Sequence, residues 1–214
     1  IYFTTVHDLP SRKVKDIFTA FLKTHKVHLH RGFQIVVILA DNEFGPLAAQ
    51  MLDMPNAPRL NLAAANEHVP EIERRIRVVK ERIRAIRHGL PFNRIPLLML
   101  TWIVYGAVRM LNHFPSKGGI STTYSPRVLM TGTALDYYKH LCLQTGEYCQ
   151  VHEEDLPRNS NQARSLGAIV LGTSGNIQGG FYFMSLITAA KIHRRSWDAL
   201  PMPDSVIRRV NKLG

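Results

Sequence analysis

The spacing of hydrophobic residues changes along the chain, and each spacing predicts a different element. The continuous apolar run FQIVVILA at 33–40 is typical of a strand buried on both faces of a parallel or mixed sheet. In 12–31 the apolar residues recur every three or four positions, which predicts a helix that Ser11 N-caps and Gly32 ends. The β-branched and aromatic residues of IYFTTV, at 1–6, predict a first strand.

The same alternation of strand and helix continues through the first half of the chain. PLAAQML (46–52) predicts a short helix, and RLNLAAA (59–65) predicts a further strand. Two longer helices follow, a basic one at 68–90 and an apolar one at 94–114. From about residue 144 the pattern becomes short strands separated by turn residues, which predicts a small β-rich domain.

These elements predict an α/β protein with two folded regions. The order is an α/β core at 1–115, a connecting segment at 116–143, a β-rich domain at 144–200 and a C-terminal tail at 201–214. The connecting segment contains a short helical pattern near 126–131. We expect a helical bridge between the core and the β-rich domain.

Two features predict an intracellular protein without a membrane partner. The longest uncharged apolar run, 95–108, is too short to span a bilayer and predicts a buried core helix that contains Trp102. Cys142 and Cys149 are too few for a disulfide framework and have the wrong spacing for a zinc knuckle. We expect both cysteines to be small buried hydrophobes in a reducing compartment, nuclear or cytoplasmic.

Net charge narrows the classes of partner. The chain has 27 Lys and Arg against 16 Asp and Glu, a formal net charge of +11. The excess is concentrated at 12–31, 71–88 and 191–212. A cationic balance of this size favours polyanions, namely nucleic acid, anionic lipid or an acidic protein surface.

The basic helix at 68–90 has two parallel rows of residues. One row is apolar, and its spacing of three and four predicts a buried stripe: Ile72, Ile76, Val79, Ile83, Ile86 and Leu90. Beside it run Glu73 and the cations predicted to bind nucleic acid: Arg74, Arg77, Lys80, Arg84 and Arg87. The alternative is a solvated amphipathic helix whose glutamates lie at its positive end.

Three segments resemble one known family. ADNEF at 40–44, HVPEIERRIRVVKER at 68–82 and SPRVLMTG at 125–132 are similar to the integrase region of copia-type retroelement polyproteins. The later LGAIVLG, GGFYFMSL and KIHRRSWD resemble the strands that follow the core in those polyproteins. The resemblance implies an RNase H-like integrase catalytic core at 1–115 that lacks its first strands, followed by the helical bridge and the small C-terminal β-rich domain.

The resemblance also implies an active site of three carboxylates. Asp41, followed by Asn42, matches the second of them. The third is Glu73 by helical phase, or Glu71 because HVPE is similar to the family's GVAE. Asp8 follows the first predicted strand and so does not match the first catalytic Asp, which we expect upstream of Ile1.

The chemistry implied by this site is phosphoryl transfer assisted by metal ions. Asp41 and Glu73 would be metal ligands for Mg²⁺ or Mn²⁺ in the intact enzyme. The reaction is the joining of element DNA ends to target DNA, with DNA as partner, RNA as a second candidate and a homo-oligomer as the intact integrase. We expect a chain with two of the three carboxylates to be inactive by itself.

Two other functional hypotheses compete with the integrase. One is a non-catalytic basic protein, or inactive remnant, that binds nucleic acid through the helix at 68–90. The other is an adaptor whose basic face binds an acidic protein, for which the sequence has no specific feature.

Three further signals predict ordinary structure. His25, His28 and His30 resemble a metal cluster in spacing, but we expect surface histidines at a helix end. The glycines of 172–180 lack the GxGxxG spacing and predict a hairpin loop between two strands. For Trp197 we favour packing in the β-rich domain over stacking on a base.

Overall fold

The computed structural model shows a mixed α/β protein. Contacts divide the chain into a first unit, Ile1–Lys80 with Leu111–Ala134, and a second unit, Glu81–Met110 with Leu135–Gly214. This division places most of the apolar helix with the β-rich segment, whereas the sequence pattern grouped it with the core at 1–115. The structure describes the residues 1–54, 56–64, 70–153, 161 and 163–214.

From Val14 to Ala199 the predicted helices and strands occur in the predicted order, and the structure adds two helices, Tyr137–His140 and Asp204–Leu213. The helices are α1 Val14–His30, α2 Leu47–Met51, α3 Pro70–His88, α4 Leu97–His113, α5 Pro126–Thr131, α6 Tyr137–His140 and α7 Asp204–Leu213. The strands are β1 Val37–Ala40, β2 Arg59–Leu62, β3 Tyr148–His152, β4 Ser165–Thr173, β5 Phe181–Ser185, β6 Lys191–Arg194 and β7 Trp197–Ala199.

Helix α1 ends as predicted but begins later. Gly32 adopts a left-handed φ of +78°, and its N–H donates to the carbonyl of Leu29 at 2.9 Å. The prediction of Ser11 as N-cap is wrong, because Lys13 occupies the N-cap position. Ser11 Oγ instead accepts the N–H of Lys13 at 3.2 Å and donates to the carboxylate of Asp16, which anchors the segment before the helix.

Strands β1 and β2 form a parallel pair in the first unit, with Ile38 opposite Leu60. Both strands lie within the predicted segments 33–40 and 59–65, and their parallel pairing is compatible with the predicted parallel or mixed sheet. Burial on both faces is wrong, since Val37 and Leu39 are 42% and 47% exposed. Among the residues that the structure describes, β1 pairs with β2 alone, and the face that carries Val37 and Leu39 is open.

The strand predicted at 1–6 is not formed. Thr4 has its backbone groups satisfied by a side chain: its N–H donates to Asn112 Oδ1 at 2.9 Å, and Asn112 Nδ2 donates to its carbonyl at 2.7 Å. Asn112 is buried in α4 and takes the place that a neighbouring strand would have. The prediction failed because strand-like composition does not supply a pairing partner.

The long helices differ in burial. In α4, Met99 and Ile103 are fully buried and Trp102 is nearly so, which confirms the predicted core helix. The buried stripe predicted on α3 is wrong, because no residue of that helix is buried. Ile72 and Ile76 are 49% and 48% exposed. The spacing predicted the apolar face correctly but not the extent to which other residues cover it.

The second unit is built on a five-stranded antiparallel sheet in the order β6-β5-β4-β3-β7. Alternate residues of β4 point to opposite faces and enter different clusters. Ile169 and Leu171 pack with Met99 and Trp102 of α4, while Ala168 and Val170 pack on the other face. This confirms the predicted β-rich domain and shows that its sheet is buried on both faces.

The sequence pattern predicts a C-terminal tail at 201–214, but the structure forms helix α7 within this segment. Val210 is fully buried and Val206 nearly so, and both join the cluster formed by α4 and β4. Their spacing of four residues puts them on one face of a short amphipathic helix. This short pattern is the signal in the sequence that could have identified the helix.

Smaller predictions in the second unit have mixed outcomes. The loop between β4 and β5 is a hairpin connection, as predicted, because these two strands pair antiparallel. Trp197 packs edge-on against Phe181 with 5.1 Å between ring centroids, which confirms the packing role. Cys149 is buried as expected, whereas Cys142 is exposed, so the prediction for Cys142 is wrong. Within the described ranges, no helix combines the length and apolar character that crossing a membrane requires.

We expect Ile169→Ala to lower the free energy of unfolding of the second unit by about 2–5 kcal/mol, because it opens a cavity beneath a fully buried side chain. The matched control is Ile187→Ala, at a residue that is 70% exposed, with an expected change within about 0.5 kcal/mol. Urea denaturation measures both. Equal effects of the two substitutions would contradict the assigned core.

Candidate nucleic-acid interface and acidic cleft

A cleft of about 600 Å³ lies in the first unit between α1, the β1–β2 pair and the start of α3. Most of its lining is apolar, including Ile17 and Phe21 of α1 and Leu60 of β2. The polar residues that line it are Thr5, His7, Thr24, Asp41 and Glu43. Both carboxylates of the lining therefore come from the segment directly after β1.

Asp41 reaches this cleft because β1 ends at Ala40. It occupies the N-cap position of a 3₁₀ turn at Asn42–Phe44, and its carbonyl accepts the N–H of Phe44 at 3.0 Å. Glu43 lies within that turn. An acidic residue just past the carboxyl end of a parallel strand lies where open α/β sheets place their binding sites.

The two glutamates proposed for the third carboxylate lie in the first turn of α3, and both are exposed. Ile72 and Ile76 line the cleft, whereas neither Glu71 nor Glu73 is among the described residues that do so. At 100° per residue, Glu73 lies roughly 80° from the direction of the two isoleucines and Glu71 roughly 120°. The geometry thus places Glu73 nearer to the cleft side, and its catalytic role stays a prediction.

The donor types suit Mg²⁺ or Mn²⁺, since carboxylate oxygens are the ligands these ions prefer. Over the described ranges, however, no group of three His, Cys, Asp or Glu residues could hold a metal ion.

The three histidines of α1 have separate environments. His25 is buried and stacks on Phe21 with 5.5 Å between ring centroids, so its prediction as a surface residue is wrong. His28 Nδ1 lies 2.9 Å from the carbonyl of Thr24, and His30 is exposed. The three residues are spread around the helix because their spacing is three and two residues.

His7 is a polar residue of the cleft that the sequence pattern did not identify. Its Nε2 lies 2.9 Å from Thr24 Oγ1. Burial, and to a lesser extent the charge of Lys23, lowers the pKa of His7 below its ordinary value, and Asp8 opposes this in part. No feature of the sequence distinguishes His7 from the other nine histidines.

The cations predicted on α3 all lie on an exposed surface of the helix: Arg74, Arg77, Lys80, Arg84 and Arg87. Arg77, Lys80 and Arg84 follow one another at intervals of three and four, so they form one row along the helix. We call these three residues the α3 row. Their mutual placement follows from the geometry of a single helix.

Arg75 has a different role from the α3 row. It is half-buried, donates to the carbonyl of Tyr2 and lies over the Tyr2 ring at 5.8 Å. These contacts hold the N-terminal segment against α3. Arg75 is therefore engaged in the fold of the first unit.

The thiols show no activation as nucleophiles. Burial is the main cause that raises the pKa of Cys149 to about 12, and the nearby Glu147 contributes. Burial also raises the pKa of Cys142. Because the thiolate is the reactive form, both cysteines are poor nucleophiles near neutral pH.

In comparisons with known proteins, neither the protein-family models nor the curated proteins contain a match to this chain.

We expect His7 to titrate below pH 6.5 in the folded chain, as measured by NMR. The unfolded chain then binds a proton that folded His7 resists, so stability falls as the pH drops below 6.5 towards the folded-state pKa. The His7→Gln variant has no imidazole at this position, so its stability should fall less than that of the unaltered chain as the pH drops. The measurement is thermal unfolding from pH 7.5 downward. The same pH dependence in both proteins would contradict the prediction.

Proposed function

We propose that this chain is the integrase region of a copia-type retroelement polyprotein and that it binds DNA. The observation that carries the DNA-binding part is the α3 row itself, three cations that are exposed and regularly spaced along one helix. The parallel β1–β2 pair, with an acidic residue after β1 and a long helix after β2, supports an RNase H-like core.

DNA binding by α3 would be electrostatic. Arg77, Lys80 and Arg84 are exposed and regularly spaced, as side chains that contact consecutive phosphates would be. Phosphate contacts carry no sequence information, so this helix would position DNA on the protein. The carboxylates of the cleft would repel the same DNA, and the cations of α3 would have to offset that repulsion.

Metal-dependent strand transfer belongs, in this proposal, to the intact protein. Asp41 and Glu73 would then be two of its metal ligands, with Glu71 as the alternative to Glu73. Magnesium or manganese would supply charge neutralisation at the reacting phosphate. RNA binding and self-association stay predictions of the resemblance. A non-catalytic nucleic-acid-binding protein would bind DNA in the same way and differ in lacking the reaction.

Replacing Arg77, Lys80 and Arg84 together by Gln tests the α3 row. Gln removes the charge and keeps a helix propensity close to that of Arg and Lys. We expect the slope of log affinity for duplex DNA against log salt to fall by about 2–3, because each lost phosphate contact removes about 0.9.

The control is the triple change Lys117→Gln, Arg208→Gln and Lys212→Gln, which removes the same charge from exposed positions off α3. It should change the slope by less than about 1. An unchanged slope in the α3 variant, or an equal change in the control, would remove α3 from the interface.

We also expect no metal-dependent strand transfer from the purified chain of 214 residues. Only Asp41 and one glutamate of α3 match the three carboxylates that the reaction needs. The assay incubates the chain with labelled element-end DNA, target DNA and Mg²⁺ or Mn²⁺. Joined product above the level of an Asp41→Asn variant would show that the chain supplies a complete site.

A further inference from the structure

Helix α1 presents a second row of cations. Its exposed polar side chains between Lys15 and His30 are Lys15, Thr19, Lys23, Lys26 and His30. At 100° per residue these five positions fall within roughly 80° of one another around the helix. Lys15, Lys23 and Lys26, which we call the α1 row, therefore point from one face.

Acidic side chains do not neutralise this face. The acid within α1 is Asp16, which is half-buried and accepts the hydroxyl of Ser11. In the described part of the chain, no ion pair involves Lys15, Lys23 or Lys26. The charge of Lys23 also acts on His7, whose pKa it lowers. The three lysines of the α1 row therefore carry positive charges that no acidic side chain of the described residues pairs with.

The opposite face of α1 is occupied by the protein itself. Ile17, Ala20 and Phe21 line the cleft, and His25 is buried. A basic helix that inserts into a lipid surface needs an apolar face free to enter the acyl region. Apart from Leu29, which is 49% exposed, helix α1 turns its large apolar residues inward, so a partner meets mainly its polar side.

The dimensions of the row suit a polyanion with closely spaced charges. Lys15 and Lys26 are eleven residues apart, which corresponds to roughly 16 Å along the helix. Phosphates of one DNA strand follow one another every 3.4 Å or so along the duplex axis, so the row is as long as about five phosphates. A single small anion would engage one of these lysines and leave the others unused.

We propose that α1 is a second DNA-contacting surface, in which Lys15, Lys23 and Lys26 bind the phosphates of duplex DNA without sequence preference. This inference rests on the proposed function, because it assumes that the chain binds DNA. The α1 surface lies outside the motifs that resemble the integrase family, because α1 ends before the first of them, ADNEF at 40–44. Helix α3 is not required for it.

The test is the triple variant Lys15→Gln, Lys23→Gln and Lys26→Gln. Duplex DNA affinity should fall roughly a hundred-fold at 0.1 M salt, and the salt slope should fall by about 2–3. Circular dichroism verifies that α1 is intact, and Lys23→Gln alone should lower the slope by about 0.9 as a milder second variant. The Lys117, Arg208 and Lys212 triple is the charge-matched control.

The outcomes separate this inference from the proposed function. If the α3 variant loses DNA affinity and the α1 variant does not, the proposal that α1 contacts DNA is wrong and the proposed function stands. Loss in the α1 variant but not in the α3 variant supports the α1 surface and removes α3. No DNA binding by the unaltered chain overturns both proposals.

Two further outcomes would also overturn the α1 surface. One is an equal loss in the charge-matched control, which would reflect net charge. The other is an α1 variant that loses binding to vesicles of anionic phospholipid while its DNA binding is unchanged.

Discussion

The cost of burying an unpaired charge decides which surfaces of this protein are open. The chain has eleven more cations than acids, so at least eleven Lys and Arg side chains cannot each have an acid of their own, and burying them without any partner would be costly. On α1, Lys15, Lys23 and Lys26 lie on one exposed face, and on α3 the row Arg77, Lys80 and Arg84 lies on another side of the helix than Ile72 and Ile76. Ile17 and Phe21 of α1 and Ile72 of α3 line the cleft. The cationic rows and the apolar cleft are thus two results of one constraint.

The spacing of residues predicted most elements, because periodicity depends only on the local chain. The spacing predicted helices α1, α3 and α4 and the strand segments of the second unit. It failed where a distant partner decides the outcome. Thr4 pairs with the side chain of Asn112, 108 residues away, and Ile72 stays half exposed although its spacing is that of a core residue. The candidate site divides in the same way: Asp41 was predicted from its place after a strand, whereas His7 joins the cleft through tertiary packing.

In the second unit, several arginine side chains are held in place by contacts with other groups of the protein. Arg109 lies over the Trp102 ring at 5.0 Å, Arg194 pairs with Glu153 at 3.1 Å, and Arg209 donates to the carbonyls of Leu186 and Ile187. These contacts fasten side chains to the sheet and to the turn after β5, and each one restricts the guanidinium to a fixed direction.

Lys15, Lys23 and Lys26 have no ion pair of this kind among the described residues. A long, exposed lysine keeps its rotamer freedom until a ligand binds, so ordering it costs entropy that only a strong or repeated attraction offsets. Duplex DNA provides repeated attraction, because each neutralised phosphate also releases condensed counterions. Cationic side chains therefore have different roles in this protein: the arginines held by these contacts stabilise the sheet, whereas the lysines of the α1 row have no ion pair in the described part of the chain.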